Sequence, residues 1–138
     1  MTITVTAYNS AKLNSLTGTD LETGPIYVML LDESYTPDFD NHTVIGDVNG
    51  DEITGTGYVA GGKEIQNLIA TQDNALNLGL LSGDPIIWAT GTFTARYGVK
   101  YINSGLFPLV SLTDFGINKS VLADDFVLAW ANGISKQL

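Results

Sequence analysis

The stretch TFTARYGVKY, from Thr92 to Tyr101, alternates between two kinds of side chain along its whole length. Every second position is apolar: Phe93, Ala95, Tyr97, Val99 and Tyr101. The positions between them are polar or glycine: Thr92, Thr94, Arg96, Gly98 and Lys100. Because successive side chains of a strand point to opposite faces, this period predicts a strand with one buried face and one polar face.

The rest of the chain carries the same signal in shorter pieces bounded by Gly, Asn, Asp or Pro. These pieces predict further strands at Thr2 to Thr6, Ile26 to Asp32, Glu64 to Ala70, Ala75 to Leu81, Pro85 to Trp88, Leu109 to Phe115 and Asp125 to Ala131. About eight short strands are typical of a sandwich or a barrel. We predict an all-β fold, an antiparallel two-sheet β-sandwich, with this interior: Val28, Leu30, Phe93, Ala95, Tyr97, Val99, Phe126, Leu128 and Trp130.

Three local patterns refine this prediction. The run IYVMLL from Ile26 is apolar on consecutive positions, which is typical of a central strand covered on both faces. The segment AYNSAKLNSL, residues 7–16, predicts a short N-terminal helix that ends before Gly18. A helical turn is also predicted in TPDFDNH, where Thr36 can cap and Pro37 can take the first helical position.

Length and composition limit the domain organisation and the partners. The chain has 138 residues, of which 44% are hydrophobic, so we expect one domain over residues 1–138. Its net charge is −9 and its few basic residues are scattered, which argues against nucleic acid and anionic membrane as partners. The absence of cysteine excludes disulfides and zinc-thiolate sites. The N-terminus lacks the pattern of a signal peptide, so synthesis in a cytoplasm is expected.

The run DVNGD, beginning at Asp47, resembles the start of a calcium loop. Asp47, Asn49 and Asp51 match its first three ligands, but Glu52 stands where such a loop requires glycine, and Tyr58 stands where it requires the closing carboxylate. We therefore predict no closed calcium site. Asn49-Gly50 instead predicts a tight hairpin turn, and the glycines that follow predict bends, bulges or close backbone approach within a sheet, with short β-prone pieces at Glu52 to Thr54 and Gly57 to Ala60.

Catalytic patterns are sparse. His42 is the only histidine, and no G-x-S-x-G motif presents a serine to it, so a locally hydrogen-bonded loop histidine is favoured over a hydrolase. The paired carboxylates Asp51-Glu52 and Asp124-Asp125, together with Trp88 and Trp130, leave a carbohydrate-binding module or a glycosidase as alternatives, although both tryptophans fit a core better. We predict no enzyme, and no catalytic, cofactor-binding or metal-binding residues.

Arg96 is one of only six basic residues against fifteen acidic ones. A guanidinium in this background is expected to pair with a carboxylate, and Asp114 and Asp125 are the candidates.

Read in order, several motifs resemble a family of small tailed-phage virion proteins. The residues that match are Val28-Met29-Leu30, Ser34 to Asp38 with Asp40 and His42, Ile53 to Gly62, Trp88 with Thr94-Ala95-Arg96 and Tyr101, and Asp114-Phe115-Gly116 with Asp125-Phe126 and Trp130. The resemblance covers most of residues 26 to 131. It implies a β-sandwich that resides in the virion, is assembled in the host cytoplasm and has no enzymatic activity.

The resulting hypothesis is a structural subunit whose partners are phage capsid or tail proteins and further copies of itself, a trimer being one candidate. A capsid decoration or cement protein is the first placement, and a tail or neck adaptor or fibre component is the alternative. A carbohydrate-binding module is the second alternative. The expected contact regions are the loop from Asp38 to Asn49 and the N-terminal segment up to Thr19, because both lie outside the core alternation.

Overall fold

The computed structural model describes residues 4–16, 25–75, 78–130 and 135–137. Strand is the dominant element, which confirms the predicted all-β class, and a short helix near the N-terminus is present as predicted. The elements are β1 Thr4–Ala7, α1 Asn9–Leu16, β2 Ile26–Leu31, β3 Lys63–Glu64, β4 Ile69–Asp73, β5 Leu78–Ser82, β6 Ile86–Ile102, β7 Leu109–Leu128 and β8 Ser135–Gln137. The start of the first predicted strand and residues 17–19 of the expected contact region lie outside the described residues.

The strands form two antiparallel sheets. The first has the order β1-β7-β6-β2-β3, and the second has the order β4-β5-β8. Strand β2 lies inside the first sheet, and its side chains alternate between two buried clusters, with Val28 and Leu30 on one side and Met29 and Leu31 on the other. The prediction of a strand covered on both faces is therefore confirmed.

A long hairpin of β6 and β7 dominates the molecule. We predicted separate strands at Pro85 to Trp88 and Thr92 to Tyr101, but both belong to β6, and the strands predicted at either end of residues 109–131 belong to β7. The register between the two strands shifts near Thr90 and Ala123, which have φ angles of 51° and 48°. Bulges at these positions interrupt the local pattern without ending the strands.

The single buried face predicted for Thr92 to Tyr101 is wrong. Phe93 and Ala95 lie in one cluster, whereas Tyr97, Val99 and Tyr101 lie in the other. The change of side coincides with a register shift: Ala95 pairs with Lys119 while Tyr97 pairs with Asp114, so that β7 contributes extra residues opposite Arg96. Gly116, one of these extra residues, has a φ of 80°, a conformation that glycine adopts readily.

We name the two clusters by their rings. The aromatic cluster contains Trp88, Phe93, Phe115 and Phe126 with the aliphatic residues around them. The tyrosine cluster contains Tyr8, Tyr35, Tyr97 and Tyr101 with Met29, Leu31, Val48, Val99, Leu109 and Leu112. The two clusters cover opposite faces of the first sheet, since β2 contributes alternate residues to each of them.

The open end of the hairpin, where β6 begins and β7 ends, lies against the aromatic face of the sheet. We call it the bent end of the hairpin. Phe126 makes an edge contact with Trp88 at 5.8 Å and another with Phe115 at 5.9 Å between ring centroids. A Cβ built on Gly98 would meet the side chains of Val28 and Leu128 at 3.4 and 3.5 Å. The bulges therefore bend the β6–β7 hairpin, so that the end of β7 covers the aromatic face of the sheet to which the hairpin belongs.

The connection between β2 and β3 departs from several predictions. Asn49–Asp51 forms a 3-10 turn, and neither Asn49 nor Gly50 has the positive φ that the predicted hairpin turn requires. The segment TPDFDNH makes a turn without a helix. Of the two β-prone pieces, Glu52 to Thr54 forms a single bridge, from Glu52 to Leu31, and Gly57 to Ala60 forms turns. The expected close approach is found at Gly62, where a Cβ would lie 1.7 Å from the carbonyl oxygen of Val28.

Candidate assembly surface

The tip of the β6–β7 hairpin is fixed by the loop that follows β2. The N–H of Ile45 donates to the Phe107 carbonyl at 2.9 Å, and the N–H of Leu109 donates to the Thr43 carbonyl at 2.9 Å. A bridge between Val44 and Pro108 lies between these two bonds. The tip is therefore held on one side by the main chain of a second segment.

Two apolar side chains project from this fixed tip. Leu106 is 83% exposed and Phe107 is 41% exposed. Phe107 also has a φ of 55°, a conformation that is unfavourable for a bulky residue and persists only where the surroundings impose it. Exposed apolar groups on a rigid, strained turn are typical of a binding site, because an unconstrained turn would relax and bury them.

The loop beside the tip is ordered by its own carboxylates. Asp38 accepts hydrogen bonds from the Asn41 side chain and from the backbone N–H groups of Asn41 and Asp40, and these bonds lower the pKa of Asp38. Asp47 accepts the N–H groups of Thr43 and Val44, which lowers the pKa of Asp47. Because Thr43 and Val44 contact the tip, the carboxylate of Asp47 holds the segment that holds the hairpin.

The start of the helix lies against the same loop. The N–H of Asn9 donates to the Phe39 carbonyl at 3.0 Å, and the Asn9 side chain donates to the Asp40 carboxylate at 2.5 Å. Leu13, one helical turn after Asn9, is 60% exposed. The structure thus brings the two contact regions expected from the sequence together and adds the hairpin tip. We call residues 9–13, 38–48 and 103–108 the tip surface.

Sequence reasoning missed the hairpin tip. The segment NSGLFP, residues 103–108, shows Gly and Pro as turn signals, and an apolar pair between such signals is the one clue that it offers. The pairing of Pro108 with Val44 joins positions far apart in the sequence, so no local pattern reports it.

His42 serves a structural contact in this region. Its Nδ1 lies 2.9 Å from the Tyr35 hydroxyl, which lies 2.8 Å from the hydroxyl of Tyr8. Tyr8 is fully buried, and this burial, with the bond to Tyr35, raises the pKa of Tyr8. The three side chains connect the helix, the loop and the tyrosine cluster, as the prediction of a locally bonded histidine requires.

The two tryptophans differ in their surroundings. Trp88 is 1% exposed inside the aromatic cluster, so its ring cannot stack on a sugar. Trp130, predicted to be interior, is half-buried against the same cluster and donates its Nε1 proton to the carbonyl of Asp84 at 2.8 Å. Trp130 lies two residues after the end of β7 at Leu128, outside the strand that carries Phe126 and Leu128 into the cluster.

The expected partner of Arg96 is Asp114. Arg96 Nε donates to Asp114 Oδ1 at 2.9 Å, and the same oxygen accepts the Gly116 N–H at 2.8 Å. Burial opposes the charge of Asp114, but these two bonds outweigh it and lower the pKa of that carboxyl. The other candidate, Asp125, accepts the Thr90 N–H instead. The pair therefore stabilises the bulge at which the buried residues of β6 change from one cluster to the other.

The residues of the suspected calcium loop do not converge on a metal. Asp47 directs its carboxylate to the backbone of Thr43 and Val44. Among the described residues, no group of three or more His, Cys, Asp or Glu side chains is placed to hold a metal ion.

A second exposed feature is the outer edge of β7. In the part of the chain that the structure describes, β1 is the strand that pairs with this edge, and it covers Ser111 to Asp114 only. Ile117 is 51% exposed and Leu122 is 81% exposed along the remaining edge. An open edge with apolar side chains can add a strand from another chain, although Lys119, Asp124 and Asp125 are charges of the kind that protect edges.

Comparisons with known proteins leave the family open. No protein-family model, curated protein or solved structure matches this chain. The resemblance to phage virion proteins therefore stays a prediction based on the motifs. Among the described helices, none is long and apolar enough to span a membrane.

Proposed function

We propose that this chain is a structural subunit of a tailed-phage particle that attaches through its tip surface, most simply as a capsid decoration or cement protein. The observation that carries this proposal is the rigid hairpin tip, on which Leu106 is 83% exposed and Phe107 is held at a positive φ. Phage placement itself rests on the motifs described above. A tail or neck component is the alternative, and it would use the same surface.

The chemistry of the tip surface defines the partner that it fits. The apolar side chains of Leu106 and Phe107 can enter a recess, as the anchors at the centre of an interface do. Around them, the loop carries Asp38, Asp40 and Asp47 and no lysine or arginine, while the helix contributes the exposed Lys12, so that carboxylates outnumber ammonium groups on the tip surface. We therefore infer an apolar recess with a neutral or basic rim on the particle, because an acidic rim would repel this loop.

We also infer that the domain functions as a two-layer sandwich. The first sheet would be one layer, and the bent end of the hairpin with the β4-β5-β8 sheet would be the other. Contacts of Leu128 and Phe126 with the aromatic face support this arrangement, and so does the presence of Leu81 of β5 in the same cluster. A closed sandwich would give the tip a stiff support, which reduces the entropy lost on binding.

Repeated geometry would supply the affinity. A single tip buries little area, but several copies that bind together on a symmetric particle gain a high effective concentration. We propose that free subunits are weakly associating monomers or small homo-oligomers and that they turn over no substrate.

The test is incorporation of variants into particles assembled without the native chain. Leu106→Ser should reduce incorporation at least tenfold while leaving the melting temperature close to that of the parent, since the side chain is exposed. Val59→Ser is the matched control, because Val59 is also highly exposed, at 71%, and lies outside the tip surface. Normal incorporation of the Leu106 variant would contradict the tip proposal.

A third variant separates the two exposed features. If Leu122→Ser blocks incorporation while Leu106→Ser does not, the open edge of β7 is the contact and the tip is not. Imaging of the assembled particle then distinguishes capsid from tail or neck. Particles of the source phage that lack this chain altogether would overturn the proposal as a whole.

A further inference from the structure

Lys100 lies in the interior of the first sheet with its side chain on the aromatic face. Its neighbours across the sheet are Val28 in β2 and Ser111 in β7. The sequence pattern placed Lys100 on a polar face, but its exposure is 0%. The bent end of the hairpin covers this face, so the lysine is enclosed.

The ammonium position of Lys100 has only neutral neighbours. Nζ contacts the Thr113 hydroxyl and lies 3.4 Å from the Gly98 carbonyl oxygen. The Trp130 ring lies over it, with 5.8 Å from Nζ to the ring centroid. A buried ammonium group is stable only when a carboxylate or several strong acceptors replace its water.

The carboxylates of the surrounding elements are committed elsewhere. Asp114, next to Thr113 on β7, pairs with Arg96. The backbone carbonyl of Asp84 accepts the hydrogen bond from Trp130. The carboxylate of Asp84 accepts a hydrogen bond from the Asn67 side chain. Neither carboxylate contributes to the pKa of Lys100, which burial alone holds well below its ordinary value of 10.5.

Two further titratable side chains lie on the aromatic face: the Lys119 ammonium group lies over the Phe115 and Phe126 rings, and Tyr58 packs against the aromatic cluster and donates to the Glu52 carboxylate. The others near this position are phenols on the opposite side of the sheet. These phenols face the tyrosine cluster and belong to Tyr27 on β2 and to Tyr97 and Tyr101 on β6, the strand of Lys100 itself. Burial raises the pKa of Tyr101 to about 12, so its phenol offers no opposing charge.

We propose that Lys100 is an acid-operated lock: as a neutral amine it closes the core beneath Trp130, and on protonation it drives the Trp130 ring away from the sheet. Trp130 is the weakest part of the enclosure, because it is half-buried and its ring nitrogen makes one hydrogen bond. Its displacement gives the ammonium group access to water without breaking the strand pairs of the sheet. The subunit would therefore loosen in acid at one defined place.

The direction of the pH effect follows from the lowered pKa. Between the lowered pKa of the folded state and 10.5, the unfolded chain carries a proton on Lys100 that the folded chain lacks. Unfolding then takes up one proton, so stability rises with pH throughout the interval between the folded and the unfolded pKa. Within that interval the unfolding equilibrium constant changes tenfold per pH unit, which corresponds to about 1.4 kcal/mol.

The decisive experiment compares urea unfolding of the parent and of Lys100→Met between about pH 6 and pH 9. The ratio of the two unfolding constants should change with pH, approaching tenfold per pH unit where Lys100 is neutral in the folded protein, and Lys100→Met should be the more stable of the two at the lower end. Lys12→Met, which replaces an exposed helix lysine, should show no such dependence. A pH-independent difference for Lys100→Met would overturn the proposal.

Two measurements on the folded parent protein keep the proposal testable if Lys100→Met does not fold. Side-chain NMR of Lys100 should report a pKa clearly below the ordinary value of 10.5, and an ordinary pKa would refute the lock. In protein labelled with fluorotryptophan, the Trp130 line should shift reversibly on acidification before the Trp88 line changes. Simultaneous change of both lines, at global unfolding only, would refute the local opening.

Discussion

The two faces of the first sheet are buried in different ways. The aromatic cluster is packed from aromatic rings and aliphatic side chains, the indole nitrogen of Trp88 is buried there without a hydrogen-bond partner, and Lys100 is, among the described residues, the charge-bearing side chain enclosed on this face. The tyrosine cluster contains hydroxyl groups that bond to one another and to loops, such as Tyr8 to Tyr35 and Tyr101 to the Gly61 carbonyl. The first face depends on shape and area, whereas the second also depends on satisfied polar groups and connects the core to the tip surface.

The largest effect should come from the aromatic face. Trp88→Ala removes a ring that is 1% exposed and should destabilise the protein by about 3 to 5 kcal/mol in urea unfolding. Trp130→Ala is the control, and its cost should be clearly smaller because the ring is half-buried. Equal costs for the two variants would show that the end of the hairpin encloses Trp130 as fully as Trp88.

Many of the residues that are buried on these two faces were predicted from the sequence. The consecutive apolar run of β2 indicated burial on both sides, and the buried positions of Phe93, Ala95, Val99 and Phe126 follow from alternation. Alternation does not indicate on which face of the sheet a residue lies after a bulge.

The failures concentrate at bulges and at contacts made across long separations. Thr90 and Ala123 adopt left-handed conformations that neither residue type favours, so tertiary packing imposes them. Lys100 reads as a surface residue because the segment that covers it, around Trp130, lies on another part of the chain. The tip surface was predicted for its loop and helix, while its hairpin component depends on the pairing of residues 43–45 with 107–109.

An intermediate effect is expected on the tyrosine face. Tyr35→Phe removes the central hydroxyl of the chain from Tyr8 to His42 and leaves the buried Tyr8 hydroxyl without this partner. The expected loss is about 1 to 3 kcal/mol, the cost of an unsatisfied buried polar group. Tyr8→Phe breaks only one of the two bonds and should cost less. If the two variants unfold at the same urea concentration, the hydroxyl chain does not contribute to the stability of this face.

The smallest effects are expected at the bulge where the buried residues of β6 change from one cluster to the other. Variants there distinguish the contribution of the Arg96–Asp114 ion pair from that of the Asp114 bond to the backbone. Asp114 bonds both to Arg96 and to the Gly116 N–H, so Asp114→Ala should cost about 1 kcal/mol because the bulge loses its acceptor. Asp114→Asn retains an oxygen for Gly116 and should cost less, and Arg96→Lys less again, because the pair is partly exposed to solvent.

The pH dependence of these variants provides the sharper comparison. The pKa of Asp114 is lowered in the folded state, so its contribution to stability is present above the ordinary carboxyl value of 3.8 and is lost as the pH falls through the folded pKa. The difference between the parent and Asp114→Asn in thermal melting should therefore disappear in acid, while Asp114→Ala should remain less stable than Asp114→Asn at every pH. If Asn and Ala cost the same at pH 7, the charge of Asp114 stabilises the bulge and the bond to Gly116 does not.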